Sequence, residues 1–125
     1  ALWLSAHKWQ PFTATEVMNL RPTLRRMSKP ETTIIYCGDN DCRALADSVG
    51  RALSDLGWTD IRQIYTNPGI SGIKIVLPTD SNISGNDFAD AIERATNGRL
   101  KINIVEKVLG FQPHSLWIMI GFKPD

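Results

Sequence analysis

A short acidic turn carries the residues of this sequence that are best placed to bind a ligand. Gly38, Asp39, Asn40 and Asp41 follow a predicted buried strand and open a predicted helix. The carboxyl ends of strands are where open α/β sheets usually bind small molecules. Two carboxylates would repel a phosphate but suit a hard cation. We therefore treat the four residues as a candidate ligand site, with capping of the helix as the alternative.

Two cysteines flank this turn, Cys37 at the end of the strand and Cys42 in the first turn of the helix. No second Cys or His pair accompanies them, and His7 and His114 show no ligand spacing, so no zinc site is predicted. The turn can bring the two sulfurs together as a disulfide in an oxidising compartment. A pair of reduced, partly buried thiols is the alternative. The sequence predicts no metal and no cofactor.

No pattern of a catalytic nucleophile is present. Ser71-Gly72 and Ser84-Gly85 lack the sequence of a nucleophile elbow and are better explained as loop residues. His114 could act as a base, but no carboxylate is positioned by the sequence to assist it. We expect no catalytic residue and no enzyme. A hydrolase that uses His114 is the least supported alternative.

The 125 residues suffice for one hydrophobic core, and the composition, 42% hydrophobic and 22% charged, is that of an ordinary globular domain. Apolar periodicity predicts eight elements. These are a helix over about 14–27 with a kink at Pro22 or two short helices meeting there, a strand over 32–37, a helix that ends before Gly57, strands over 61–65 and 73–77, a helix from Phe88 to about Asn97, and strands over 100–104 and 116–121.

This order contains two successive strand-helix-strand units, 32–65 and 73–105, whose right-handed crossovers make the paired strands parallel. The fold class is therefore α/β, with a mixed, mainly parallel five-stranded sheet and two or three packing helices. The last strand is expected to run antiparallel beside its neighbour. We further predict that Leu53 faces Ile35 across the helix–sheet interface and that Gly57 has a positive φ angle.

Residues 1–30 are predicted to form a basic N-terminal arm and helix, ahead of a single α/β domain over 31–125. The arm has five basic residues and one acidic residue. Trp3, Lys8 and Trp9 have the composition of a segment leaving a bilayer, so an apolar helix is expected just before Ala1, with the chain membrane-associated on a side left open. The alternatives are that the tryptophans pack on the domain and the charges are a solvated helix face. Nucleic acid is not an expected partner, because the arm has few aromatic side chains for stacking.

Three stretches carry a resemblance to a known kind of domain. They are Ile34–Asp39, the alanine-rich helix with Ala44-Leu45-Ala46 and Leu56-Gly57-Trp58, and the ending Gly121-Phe122-Lys123-Pro124. In these the chain resembles the soluble domain of uncharacterised bacterial membrane-anchored proteins. Its strand and helix order is also loosely similar to that of the C-terminal domain of LytR-type cell-envelope proteins. The resemblance implies an α/β fold and carries no active-site residue.

The function that these observations favour is a non-catalytic interaction or scaffold domain of a membrane-tethered bacterial protein. Its sheet edge or helix face would contact another protein or further copies of the chain. The alternative is a small-molecule sensor, with its ligand at Gly38–Asp41 and the loop over 78–85.

Overall fold

The computed structural model describes residues 8–66, 68–78, 85–108 and 115–124. Three helices and five strands lie within these residues. In chain order they are α1 (Ala14–Leu24), β1 (Glu31–Tyr36), α2 (Asn40–Asp55), β2 (Ile61–Tyr65), β3 (Ile73–Pro78), α3 (Gly85–Ala95), β4 (Ile102–Val108) and β5 (Ser115–Ile120). The predicted α/β class is confirmed.

The five strands form one mixed sheet in the order β2-β1-β5-β3-β4. β1 runs parallel to β2 and β3 runs parallel to β4, so both predicted strand-helix-strand units are present. β5 inserts between the two units, parallel to β1 and antiparallel to β3. β5 therefore lies at the centre of the sheet, and its antiparallel neighbour is β3.

The helices pack on one face of the sheet. Ile34 of β1 and Ile118 of β5 are paired in register and belong to the same core as Leu53 of α2 and Phe88 of α3. Ile35 is buried but lies outside this core, because successive strand residues point to opposite faces. The prediction that Leu53 faces Ile35 is therefore wrong, and Ile34 takes that place.

The first helix is shorter than predicted. A capping box opens it, in which Thr13 and Glu16 exchange side-chain and backbone hydrogen bonds, as their spacing indicates. One helix runs through Pro22 and ends two residues later at Leu24 rather than at 27. Proline cannot donate a backbone hydrogen bond, so the turn that contains it is weakened. Leu20 and Leu24 enter the same core as the sheet, so α1 is an integral part of the domain.

Two glycines end the helices as their positions indicate. Gly57 has φ +96°, which confirms the predicted cap of α2, and Gly98 has φ +79° after α3. The strand after Gly98 begins later than predicted, at Ile102, and extends to Val108. Leu100 belongs to the connection: its N–H donates to the Thr96 hydroxyl, and its side chain is buried in the core.

Arg99 fastens the N-terminal arm to the body of the domain. Its guanidinium donates to both carboxylate oxygens of Glu16, at 2.9 and 2.6 Å, and to the backbone carbonyls of Gln10 and Pro11 at 3.0 and 3.2 Å. The hydrogen bonds from Arg99 are the largest cause that lowers the pKa of Glu16 below its ordinary value, against a smaller opposing effect of burial.

Candidate functional site

The acidic turn lies where the sequence predicts, at the carboxyl end of β1 and the start of α2. Asp39 occupies the N-cap position in an extended conformation, but its side chain makes no capping hydrogen bond. Asp41 lies in the first turn, where a negative charge complements the helix dipole. The alternative, capping of the helix, thus describes the backbone of this turn, although Asp39 and Asn40 remain exposed.

A disulfide joins the strand end to the helix. Cys37 and Cys42 are bonded, with their Cα atoms 5.5 Å apart, and both side chains are fully buried. The Cys42 sulfur lies 3.4 Å from the carbonyl oxygen of Gly121, which directly follows β5. The Cys37 N–H donates to the carbonyl of Ile120 at 3.0 Å. The carboxyl ends of β1 and β5 are therefore locked together around this bond.

Trp9 closes the same end of the sheet. Its backbone N–H donates to the Asp41 carboxylate at 2.8 Å, and its indole Nε1 donates to the Gly121 carbonyl at 2.8 Å. The Trp9 side chain is only 5% exposed. The arm thus occupies the position at which an open α/β sheet would usually take a ligand, and Asp41 already has a partner within the chain.

This position of Trp9 corrects its expected place at a membrane surface. A side chain that is buried in the protein core cannot also lie among lipid headgroups, so Trp9 follows the alternative of packing on the domain. Lys8 is exposed, and Trp3 lies outside the described residues. No helix of the described part is long and apolar enough to cross a membrane.

The four candidate ligand residues lie together at this turn, and most of the neighbouring loop, 79–84, is outside the described residues. Two grooves on the described surface lie away from this turn, one between α1 and α3 and the other between α2 and β2. Tyr65 covers Gly38, since a Cβ atom there would lie 2.6 Å from its hydroxyl oxygen. The Tyr65 ring also stacks on Tyr36, with ring centres 6.0 Å apart.

The groove between α1 and α3 has charges of both signs. Arg26 and Arg94 line it together with Asp87 and Asp90. This balance favours neither an anionic nor a cationic ligand. Among the described residues no group of three or more His, Cys, Asp or Glu side chains could hold a metal ion. His114 lies outside the described residues, so its role as a base stays a hypothesis.

The groove between α2 and β2 was not predicted from the sequence. It has a volume of about 620 Å³, and its lining includes Asp47, Gly50 and Arg51 of α2 and Gln63 of β2. It lies along the outer edge of β2, the first strand in the sheet order. The one sequence feature that could have indicated this groove is the composition of 61–65, where polar and apolar residues do not alternate strictly. That pattern alone does not identify an edge strand.

Two of the four large apolar side chains that are exposed among the described residues lie at the same edge, and the other two, Met18 and Phe122, lie on α1 and just after β5. Ile64 is 40% exposed and Tyr65 is 67% exposed, and both belong to β2. No strand among the residues that the structure describes pairs with the outer side of β2. The outer edge of β2 is therefore one of the two edges of the sheet at which no described strand pairs, and the outer edge of β4 is the other.

The chain matches no protein-family model, no curated protein and no solved structure. The resemblance to LytR-type and membrane-anchored domains stays a prediction from the sequence.

Proposed function

We propose that this chain is a non-catalytic interaction module of a membrane-tethered bacterial protein, and that it docks through the outer edge of β2. The observation that carries the proposal is the exposure of Ile64 and Tyr65 beside an unpaired strand edge. Proteins usually protect such edges with a charge, a proline or a covering segment, because free strand groups pair with other chains. Only Arg62 supplies a charge within β2. An edge of this kind suits recognition of a protein by strand addition.

The position of Trp9 supports an interaction module over the alternative, a small-molecule sensor. The indole and the disulfide fill the end of the sheet where the sensor would hold its ligand. Of the four candidate ligand residues, Asp41 already accepts a hydrogen bond from the arm. A ligand that bound the Asp41 carboxylate would have to compete with the Trp9 N–H.

The decisive experiment uses a photo-crosslinking amino acid in cells that make the full-length protein. Placed at Tyr65 it should give covalent adducts with protein. Placed at Met18, which is 65% exposed on α1, it serves as the control of matched exposure and should give none. Absence of adducts at Tyr65, or equal adducts at both positions, would contradict docking at β2.

A thermal-shift screen with nucleotides, sugars and metal ions tests the sensor alternative. A ligand at about 100 times its dissociation constant stabilises the fold by about 2.7 kcal/mol. Stabilisation that is abolished by Asp39→Asn would overturn the interaction module in favour of a sensor. No shift with any probe is the expected result.

The membrane tether is supported by exposed positive charge on the arm, on α1 and on the turn that follows α1. Lys8, Arg21, Arg25 and Arg26 are all exposed, and such charges attract anionic headgroups. The disulfide favours an oxidising compartment, that is, the outer side of a bacterial membrane. Flotation with vesicles of anionic lipid tests the peripheral part of this contact, with neutral vesicles as control. Replacing the three arginines by serine should weaken flotation, and an unchanged result would remove this support.

A further inference from the structure

At alternate residues of β2 the backbone groups are paired with no other strand of the described residues. The Thr32 N–H of β1 donates to the Asp60 carbonyl at 2.8 Å, and Thr32 is paired in register with Ile61. In a parallel ladder only alternate residues of a strand bond to the adjacent strand, each to the two neighbours of its partner, so Arg62 and Ile64, like Asp60, turn their backbone groups toward β1. The N–H and C=O groups of Ile61, Gln63 and Tyr65 therefore point outward.

From this geometry we propose that the partner at β2 is a second copy of the chain, joined by antiparallel pairing of the two β2 strands about Gln63. The inference rests on the proposed function, since it names the partner of the same edge. Gln63 would face Gln63 of the second copy, and Ile61 would face Tyr65 of the second copy. Each of these facing pairs would exchange two backbone hydrogen bonds.

The side chains of β2 are compatible with this register. Arg62 would lie opposite Ile64 of the second copy, so that no like charges face each other across the strands. Ile64 and Tyr65, the exposed apolar residues of the strand, would both gain a neighbour across the interface. The two sheets would continue as one sheet through the pair of β2 strands.

The position of α2 makes the two helices meet in the same dimer. α2 packs over β1 and β2. A Cβ atom on Gly50 would lie 2.6 Å from the Gln63 side-chain nitrogen, so the middle of α2 lies level with the middle of β2. A two-fold axis outside β2 at Gln63 would then place the two α2 helices about 10 Å apart, from a strand spacing of about 4.8 Å. Packed helices are usually about 8–10 Å apart.

The charges on α2 suit an antiparallel partner helix. Asp47 and Arg51 line the groove beside β2, one helical turn apart. They form no ion pair with each other or with any other residue of the described chain. Across a two-fold axis, Asp47 of each copy would lie near Arg51 of the other. The groove between α2 and β2 is the space that the second helix would border.

The first experiment measures mass in solution by sedimentation equilibrium. The wild-type chain should form a particle of twice its mass of 14.0 kDa. Arg51→Asp would set two carboxylates against each other at each contact and should weaken the dimer by roughly tenfold or more. The double reversal Asp47→Arg with Arg51→Asp restores complementary charges and should restore the dimer. Arg26→Asp, in the turn after α1, is the control with the same change in charge.

Circular dichroism shows whether the Arg51→Asp variant is folded. A variant that is folded but monomeric has lost association and not structure. An ion pair within the helix, between residues four apart, would change helix stability but not the mass. A monomeric wild type at the highest soluble concentration would overturn the proposal. So would a dimer that Arg51→Asp leaves intact.

A second experiment locates the axis. Both native cysteines are in the disulfide, so Gln63→Cys introduces a single free thiol. Residues that face each other in a hydrogen-bonded antiparallel pair have Cα atoms about 5.5 Å apart, within the range of a disulfide of roughly 4.4–6.8 Å. Mild oxidation should join two copies through Cys at 63. Arg25→Cys, at the C-cap of α1, is the control and should stay monomeric under the same conditions.

The two proposals fail in different ways. A monomer whose Tyr65 position still crosslinks to another protein would overturn the second copy as partner and leave the interaction module intact. A monomer without adducts at Tyr65 would overturn both. A dimer whose Gln63→Cys variant does not crosslink would show an interface elsewhere, which overturns the pairing of the β2 strands.

Discussion

The indole nitrogen of Trp9 donates a hydrogen bond of 2.8 Å to the carbonyl of Gly121, 112 residues further along the chain. This bond ties the N-terminal arm to the end of the central strand. The backbone of Trp9 is held at the same time by Asp41. The arm is therefore a structural part of the domain, and it closes the end of the sheet at which the disulfide lies.

Trp9→Ala should destabilise the domain by about 3–5 kcal/mol, because it removes a large buried side chain and leaves a cavity. Trp9→Phe keeps an aromatic ring but leaves the Gly121 carbonyl without its donor, and it should cost less than the alanine variant. Urea unfolding followed by circular dichroism measures both. If Trp9→Ala lost under about 1 kcal/mol, the buried position of the indole would be contradicted.

Ile34→Ala should cost about 2–5 kcal/mol, since the Ile34 side chain lies under α2. Its Cδ1 atom would be 3.8 Å from a Cβ atom on Gly50. Ile35→Ala should cost less, because no helix of the described residues packs on the face where Ile35 lies. The same unfolding experiment compares the two variants. The opposite order would reverse the assignment of the two faces of β1.

The sequence could not decide between these faces because β1 is buried on both. Thr32 and Ile34 point to the helices while Thr33 and Ile35 point away, and each face has one threonine and one isoleucine. With no alternation of polar and apolar residues, the pattern predicts the strand but not its orientation. By contrast, α2 has one apolar stripe, and its extent and its Gly57 cap could be predicted.

The sequence also places the start of β4 too early, at Leu100 instead of Ile102. Leu100 continues the alternation of Ile102, yet it is buried in the connection after α3. For the candidate site, the acidic turn and the two cysteines were visible as local patterns. The contact of Trp9 was not, because its partners Asp41 and Gly121 lie 32 and 112 residues away.

Gly121→Ala should destabilise the domain strongly, because a Cβ atom on Gly121 would collide with the backbone carbonyl of Ile70. Backbone cannot yield as a flexible side chain can. Gly69→Ala is a useful comparison, since nothing lies near its Cβ position and only its φ of +70° opposes the change. Thermal unfolding should give a clearly lower midpoint for Gly121→Ala than for Gly69→Ala. Equal midpoints would contradict the close approach at Gly121.

Reduction of the disulfide should destabilise the domain by about 2 kcal/mol, since the bond closes only a short loop. Cys37→Ser with Cys42→Ser should reproduce this loss in non-reducing buffer, and reductant should have no further effect on the double variant. Urea unfolding with and without reductant is the measurement. The disulfide would be contradicted if reductant left the stability of the wild type unchanged and if two thiols of the wild type reacted with a thiol reagent after unfolding without reductant.

The contact between Glu16 and Arg99 predicts a dependence of stability on pH. Hydrogen bonds from Arg99 hold the pKa of Glu16 below its ordinary value of about 4.5. A carboxyl whose pKa is lower in the folded state stabilises the fold above the unfolded pKa, and this contribution is lost as pH falls through the folded pKa. Glu16→Gln should therefore cost up to about 1 kcal/mol at neutral pH, with the difference from wild type shrinking below about pH 4.5.

Urea unfolding at several pH values measures this difference in stability, and Asp60→Asn, which changes an exposed carboxyl outside the contact, is the control. If the difference in free energy of unfolding between Glu16→Gln and wild type stayed constant from neutral pH down to acid unfolding, the guanidinium of Arg99 would not favour the charged form of Glu16.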